Sequence, residues 1–183
     1  MKIIETAIPG LRILEPILFE DQRGCFFESY HQKRLFESGI SDDFVQDNHV
    51  VSGRGVLRGL HYQIESAQAK LCRVIRGEVL DVVVDIRRGS PHFGKAVSAI
   101  LSAENRRQVY VPKGFAHGYL VLTETAEFLY KCSDFYYPEL ERGILWNDPE
   151  LAISWGIHNP ILSAKDRDLP KLSEIAMCDL PSY

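Results

Sequence analysis

Apolar and polar residues alternate through the middle of the chain. Leu80, Val82, Val84 and Ile86 fall on one side of an extended segment. Val79, Asp81, Val83 and Asp85 fall on the other, because strand side chains alternate with period two. The first side has the composition of a core. The second mixes apolar and acidic groups, which suits a polar cavity or a packed polar face. Similar runs are Leu71–Arg76, Ala96–Leu101, Gln108–Val111, Gly118–Leu122 and Glu127–Cys132. Turn residues punctuate them at Gly77, Ser90-Pro91, Pro112-Lys113-Gly114 and Thr123–Thr125. Short strands at such regular spacing predict an all-β sandwich or barrel. Phe26–Tyr30 reads as an earlier strand. His31–Ser38 reads as a helix closed by Gly39, and Asp166–Leu172 as a short turn or helix. The expected fold is a jelly-roll β-barrel with a few short helices.

Composition narrows this picture. The chain has 183 residues, 45% hydrophobic and 25% charged, which fits one core. No repeat, linker or low-complexity tract divides it, so one domain over residues 1–183 is expected. The net charge of −4 argues against non-specific nucleic-acid binding. It leaves room for a phosphorylated ligand held by a few local Arg and Lys. No apolar run approaches the roughly 20 residues of a membrane span. Glu5 interrupts any signal-peptide core at the start. Cys25, Cys72, Cys132 and Cys178 form no CxxC pair and match no zinc spacing. A soluble cytoplasmic protein with reduced thiols is the expectation.

The densest chemistry lies in Arg54–Gln63. Strict alternation puts Arg58, Leu60 and Tyr62 on one face and Leu57, Gly59, His61 and Gln63 on the other. An imidazole on the inner face of a barrel can serve as a general base, or can be a hydrogen-bonded core residue. A second stretch, Pro112-Lys113-Gly114-Phe115-Ala116-His117, places a histidine just after a tight turn. Its Pro-x-Gly-x-x-His pattern resembles the second motif of the cupin superfamily, whose fold is a small jelly roll. Many cupins hold a metal with an earlier His-x-His pair. Here Tyr62 and Gln63 follow His61, so that ligand set is broken and no metal is expected. Tyrosines in Glu127–Lys131 and Asp134–Pro149 suit packing, proton donation or stacking on a nucleobase. An aspartate in Leu162–Asp166 that reached His61 would orient the imidazole.

Taken together, these segments resemble the dTDP-4-dehydrorhamnose 3,5-epimerase family, a metal-free branch of the cupins. The resemblance runs in order through Ile13–Pro16, Asp21–Gly24, Phe44–His49, Gly55–Gln63, Gly77–Val79, Val84–Arg87, Pro112–His117, Glu127–Lys131, Gly143–Pro149 and Ser163–Asp166. It implies a nucleotide-linked 4-keto-6-deoxyhexose substrate. Carbons 3 and 5 both flank the ketone, so losing a proton from either gives an enolate. Returning a proton to the opposite face inverts the centre, with no cofactor. By this resemblance His61 is the base, Asp166 its carboxylate partner and Tyr130 the acid on the far face. Lys70 is the cation near the C4 oxygen, where charge develops. Gln46, Asn48, Arg58, His117, Glu141 and Lys165 would contact substrate, and Tyr136 would stack on thymine, with Tyr137 the adjacent alternative. Arg23 and Glu28 would come from a neighbouring subunit, which implies a homodimer. Other readings are a relative that inverts one carbon, and a sugar-nucleotide-binding cupin without catalysis.

Overall fold

The computed structural model describes residues 1–183. Thirteen strands are formed: β1 (Lys2–Glu5), β2 (Arg12–Glu15), β3 (Phe19–Asp21), β4 (Gly24–Phe26), β5 (Gln46–Gly53), β6 (Leu57–Gln63), β7 (Lys70–Arg76), β8 (Glu78–Asp85), β9 (Ala96–Ser102), β10 (Gln108–Val111), β11 (Phe115–Val121), β12 (Thr125–Cys132) and β13 (Glu141–Gly143). A six-stranded sheet in the order β1-β2-β10-β7-β12-β5 faces a five-stranded sheet in the order β13-β6-β11-β8-β9. β3 and β4 form a separate hairpin. This is the expected jelly roll. Two α-helices are present, α1 (Gln32–Glu37) and α2 (Ala164–Arg167). α1 ends as the sequence suggests, with Gly39 at φ +78°, where glycine has no Cβ to clash. No helix is long and apolar enough to cross a membrane.

The two sides of β8 face two different cores. Val79 and Val83 pack between the sheets with Cys72, Val74, Val109, Phe115, Tyr119 and Phe128. Val82, Val84 and Ile86 face outward from the barrel. The C-terminal segment covers them with Ile144, Leu151, Trp155, Leu172 and Leu180. The acidic side of β8 is therefore a packed polar face. Asp81 is 1% exposed and bonds His117, while Asp85 is fully buried and accepts from Arg87 and Ser90.

Two local expectations are corrected. The strand expected over Phe26–Tyr30 ends at Phe26, and residues 27–30 are irregular. Strict alternation also fails in β6. His61 lies opposite His117 and Arg58 opposite Tyr119, so three residues of β6 span two of β11. Such a bulge turns one strand by one position. Leu57 and Leu60 consequently both enter the outer core, and Arg58 and His61 both line the same cleft. Gly59 sits in the bulge at φ +113°, where a Cβ would lie 2.6 Å from Gly118 Cα. Only glycine allows the two strands to approach this closely.

Candidate active site

A cleft opens at the mouth of the barrel as two adjoining compartments. The inner one, about 210 Å³, is lined by Arg58, His61, Lys70, His117, Tyr119, Tyr130 and Asp166 among others. The outer one, about 290 Å³, includes Gln46, Asn48, Gln63, Gln68, Tyr136 and Glu141. His61, Lys70 and Tyr130 border both. His61 stands on the five-stranded sheet, whereas Lys70 and Tyr130 stand on β7 and β12 of the six-stranded sheet. The jelly roll thus places imidazole and phenol on opposing walls.

His61 Nε2 lies 2.5 Å from Asp166 Oδ1, across 105 residues of sequence. α2 delivers this aspartate. Ser163 caps the helix by accepting from Asp166 N–H at 3.1 Å, and Leu162 and Trp155 pack the surrounding segment onto the outer core. Burial works to raise the Asp166 carboxyl. The His61 hydrogen bond and charge, the Ser163 hydroxyl and the Gly59 N–H outweigh it and hold the group below the usual carboxylate range. An ionised acceptor fixes Nε2 as the donor and leaves Nδ1 free. Nδ1 faces Glu141 Oε1 at 3.8 Å.

Glu141 joins the compartments. It accepts from the Tyr136 hydroxyl at 2.6 Å and pairs with Lys165. Its carboxyl is raised by burial but more strongly lowered by Lys165, Tyr136 and His61, so it too lies below its ordinary value. The Glu141 bond, with some burial, pushes Tyr136 up to about 12. Tyr136 is half-exposed at the cleft, and its N–H donates to Gln46 Oε1 at 3.1 Å. Tyr137 is not among the lining residues and donates its backbone N–H to Gln63 Oε1 at 2.9 Å. Gln46 Nε2 reaches Asn48 Oδ1 at 3.2 Å, and Asn48 donates to Cys132 Sγ.

Burial raises the Tyr130 phenol well above its ordinary value, with smaller contributions from Cys132, Cys72 and Tyr119. The phenol is therefore protonated at neutral pH. Lys70 Nζ sits 6.0 Å from the Tyr130 ring centre and has no ion-pair partner. His117 is 7% exposed, with Nε2 2.8 Å from Asp81 Oδ2. Arg58 Nε reaches Ser52 Oγ at 3.3 Å.

The fold therefore gathers His61, Lys70, Tyr130, Asp166, Gln46, Asn48, Arg58, His117, Tyr136, Glu141 and Lys165 around one cleft. It does not gather Arg23 and Glu28. Arg23 lies in the β3–β4 turn, bonded to Asp21, and Glu28 pairs with Arg34. Four polar residues around the cleft were given no site role from sequence. Gln63 and Gln68 tie the Asp134–Tyr137 loop down through backbone carbonyls. Asp81 holds His117, and Tyr119 lines the inner wall. For Gln63 and Asp81 a polar residue inside a largely apolar strand was the available signal, whereas Gln68, on irregular backbone before β7, and Tyr119 carried none.

Residues 5–174 match the family model described as dTDP-4-dehydrorhamnose 3,5-epimerase. The chain is 59% identical over 169 residues to the dTDP-4-dehydrorhamnose 3,5-epimerase of Pseudomonas aeruginosa, covering 91% of this chain and 93% of that one. It is similar to the crystal structure of dTDP-6-deoxy-D-glucose-3,5-epimerase from Legionella pneumophila in complex with dTDP-4-keto-L-rhamnose. That match has a TM-score of 0.97 and 52% identity, and covers 100% of this chain and 98% of the other. A 3'-monoepimerase from Streptomyces bikiniensis, in complex with dTDP-quinovose, matches with a TM-score of 0.91 at 37% identity, covering 97% and 92%.

Proposed function

Since this chain belongs to the dTDP-4-dehydrorhamnose 3,5-epimerase family, we propose that its inner compartment holds the sugar and its outer compartment the nucleotide of one substrate. The protein is an isomerase. It inverts C3 and C5 of dTDP-4-dehydro-6-deoxy-D-glucose to give dTDP-4-dehydro-L-rhamnose.

The observation that carries the residue roles is the pairing of His61 with buried Asp166 on one wall, with Tyr130 on the facing wall. Nδ1 of His61 takes the proton from the carbon beside the ketone, and Asp166 stabilises the resulting imidazolium. Lys70, with no carboxylate to neutralise it, stabilises the enolate oxygen at C4. Tyr130 returns a proton from the other side of the sugar. Its raised pKa keeps that proton available, and protonation from the opposite face inverts the centre. The same set serves C3 and C5 in turn, since both flank one carbonyl, once the imidazolium has released its proton to solvent and the tyrosinate has regained one.

At the outer end, Tyr136 offers a half-exposed ring for the base. Arg58 on the inner wall, and Lys165 paired with Glu141 where the compartments join, bring positive charge toward a diphosphate lying between sugar and base, for which a guanidinium fork is well suited. Arg23 and Glu28 belong to a partner's site in this reading. The β3–β4 hairpin and its approach leave Ile17, Phe19 and Phe26 57–67% exposed, apolar surface that a second copy would cover. We place the homodimer in the cytoplasm and treat residues 1–183 as one domain. The domain reading is supported by one inter-sheet core shared by strands of both sheets.

The deciding experiment is turnover of dTDP-4-keto-6-deoxyglucose in deuterated water, with label located by NMR and mass spectrometry. Label at both C3 and C5 is expected. Label at one carbon only would move the chain to the single-site activity named for the Streptomyces bikiniensis relative. Sedimentation tests the dimer, and a monomer at micromolar concentration would refute it.

A further inference from the structure

Resting on that reading, we propose that Tyr119 is a further substrate-contacting residue, donating its hydroxyl hydrogen to an oxygen of the sugar. Tyr119 is 5% exposed, yet its hydroxyl has no hydrogen-bond partner. Buried polar groups in folded proteins are almost always paired, so an unpaired one needs an explanation. The residue lines the inner compartment with His61, Lys70, Tyr130 and Asp166, and is absent from the outer one. It therefore addresses the sugar end and not the base.

The ring is held firmly. It stacks on Phe128 with centres 4.1 Å apart and planes 16° from parallel. Phe128 in turn contacts Tyr130, 5.9 Å away, and His117, 6.2 Å away. Tyr119 and the proposed acid thus rest on one shared aromatic support. The neighbouring polar groups leave the hydroxyl free. Asp81, opposite Tyr119 on β8, uses Oδ2 for His117, and its Oδ1 is itself unpartnered. Ser52, whose hydroxyl receives Arg58 Nε at 3.3 Å, lies near enough to lower the Tyr119 phenol slightly but outside hydrogen-bond geometry with it. Burial, partly offset by Arg58 and Ser52, pushes the phenol up to about 12, so it is a donor throughout the neutral range. A rigid, protonated, unpaired hydroxyl beside the reacting groups is placed to orient the ring of the sugar. It completes its hydrogen bond only when substrate is present.

Tyr119→Phe tests this, because it keeps the ring stack and removes only the oxygen. Loss of one neutral hydrogen bond should lower kcat/KM about tenfold. Affinity for dTDP alone, measured by calorimetry, should stay within about twofold. The extra affinity of dTDP-glucose over dTDP should shrink. Melting temperature without ligand should be unchanged or higher, since an unpaired buried hydroxyl is removed. A kcat/KM within twofold of wild type would overturn the proposal. So would an equal weakening of dTDP and dTDP-glucose. A lower melting temperature with intact kinetics would show that the hydroxyl pairs inside the free protein, with Asp81 or a resident water, and would likewise overturn it. If the wild-type protein exchanges no deuterium, the epimerase reading fails. The comparison of dTDP-glucose with dTDP still decides the role of Tyr119.

Discussion

Replacing Asp166 with asparagine changes one carboxylate oxygen to an amide nitrogen and leaves the volume nearly unchanged. The wild-type oxygen lies 2.5 Å from His61 Nε2, in a side chain 4% exposed. A carboxylate can only accept, so Nε2 carries the hydrogen and Nδ1 the free electron pair. The asparagine amide can donate to Nε2, which moves the ring hydrogen to Nδ1 and removes the base. The imidazolium formed on proton uptake also loses its counter-charge. Two unit charges about 4 Å apart attract by about 4 kcal/mol at an effective dielectric of 20. That is about a thousandfold in rate, and the wrong tautomer deepens it toward the ten-thousandfold loss known for the equivalent change in Ser-His-Asp triads. Asp166→Asn should therefore lower the rate of deuterium wash-in by about 10³- to 10⁴-fold. Binding of dTDP should remain within about twofold. A wash-in rate within tenfold of wild type would refute the orientation argument. Its sign with pH follows from the depressed carboxyl. The stabilising pairing is present above the ordinary aspartate value, about 3.9, and is lost as pH falls through the lower folded-state value.

Three further outcomes are expected. Tyr130→Phe should keep the fold and lower inversion at C3 and C5 by about 10²- to 10⁴-fold, the usual worth of a general acid. Wild-type rates at both carbons would remove Tyr130 from that role. Gly59→Ala forces a Cβ to within 2.6 Å of Gly118 Cα at φ +113°. It should cost about 3 kcal/mol through strain and overpacking, roughly 9 °C in melting temperature. A variant that melts like wild type would mean the strands tolerate a wider crossing. Tyr62 and Tyr119 are both pushed up to about 12, chiefly by burial. The unfolded chain then loses protons first, so stability should fall as pH rises from about 10 to 12, by up to about 1.4 kcal/mol per pH unit for each tyrosine. Denaturant midpoints measured across that range check it, and Tyr62→Phe should make the fall shallower.

The strands were legible wherever one face packs between the sheets and the other meets a second layer, as in Val79–Asp85. The turn-to-strand delivery of His117 was legible too, because proline and glycine mark the turn. The faces of Arg58 and His61 were not. A single extra residue in the bulge reverses the parity on which alternation rests, and nothing in Leu57–Gln63 except Gly59 signals it. The outer core was hidden for another reason. Ile144 and Trp155 lie on irregular backbone and Leu172 in a single 3-10 turn, so their burial has no period to read. The meeting of His61 with Asp166 came from family resemblance, since two residues 105 positions apart carry no local sign of contact.

The segment that carries Asp166 also covers Val82, Val84 and Leu57. During synthesis the barrel strands emerge first, and His61 waits for its partner until α2 leaves the ribosome. A chain stopped after β12 would have both sheets but for β13 and no oriented base, and its outer apolar face would be bare to chaperones and proteases. Reaching catalytic competence and hiding that adhesive surface are thus one docking event. With His61 as the proposed base, a nascent chain becomes active only as this surface is covered.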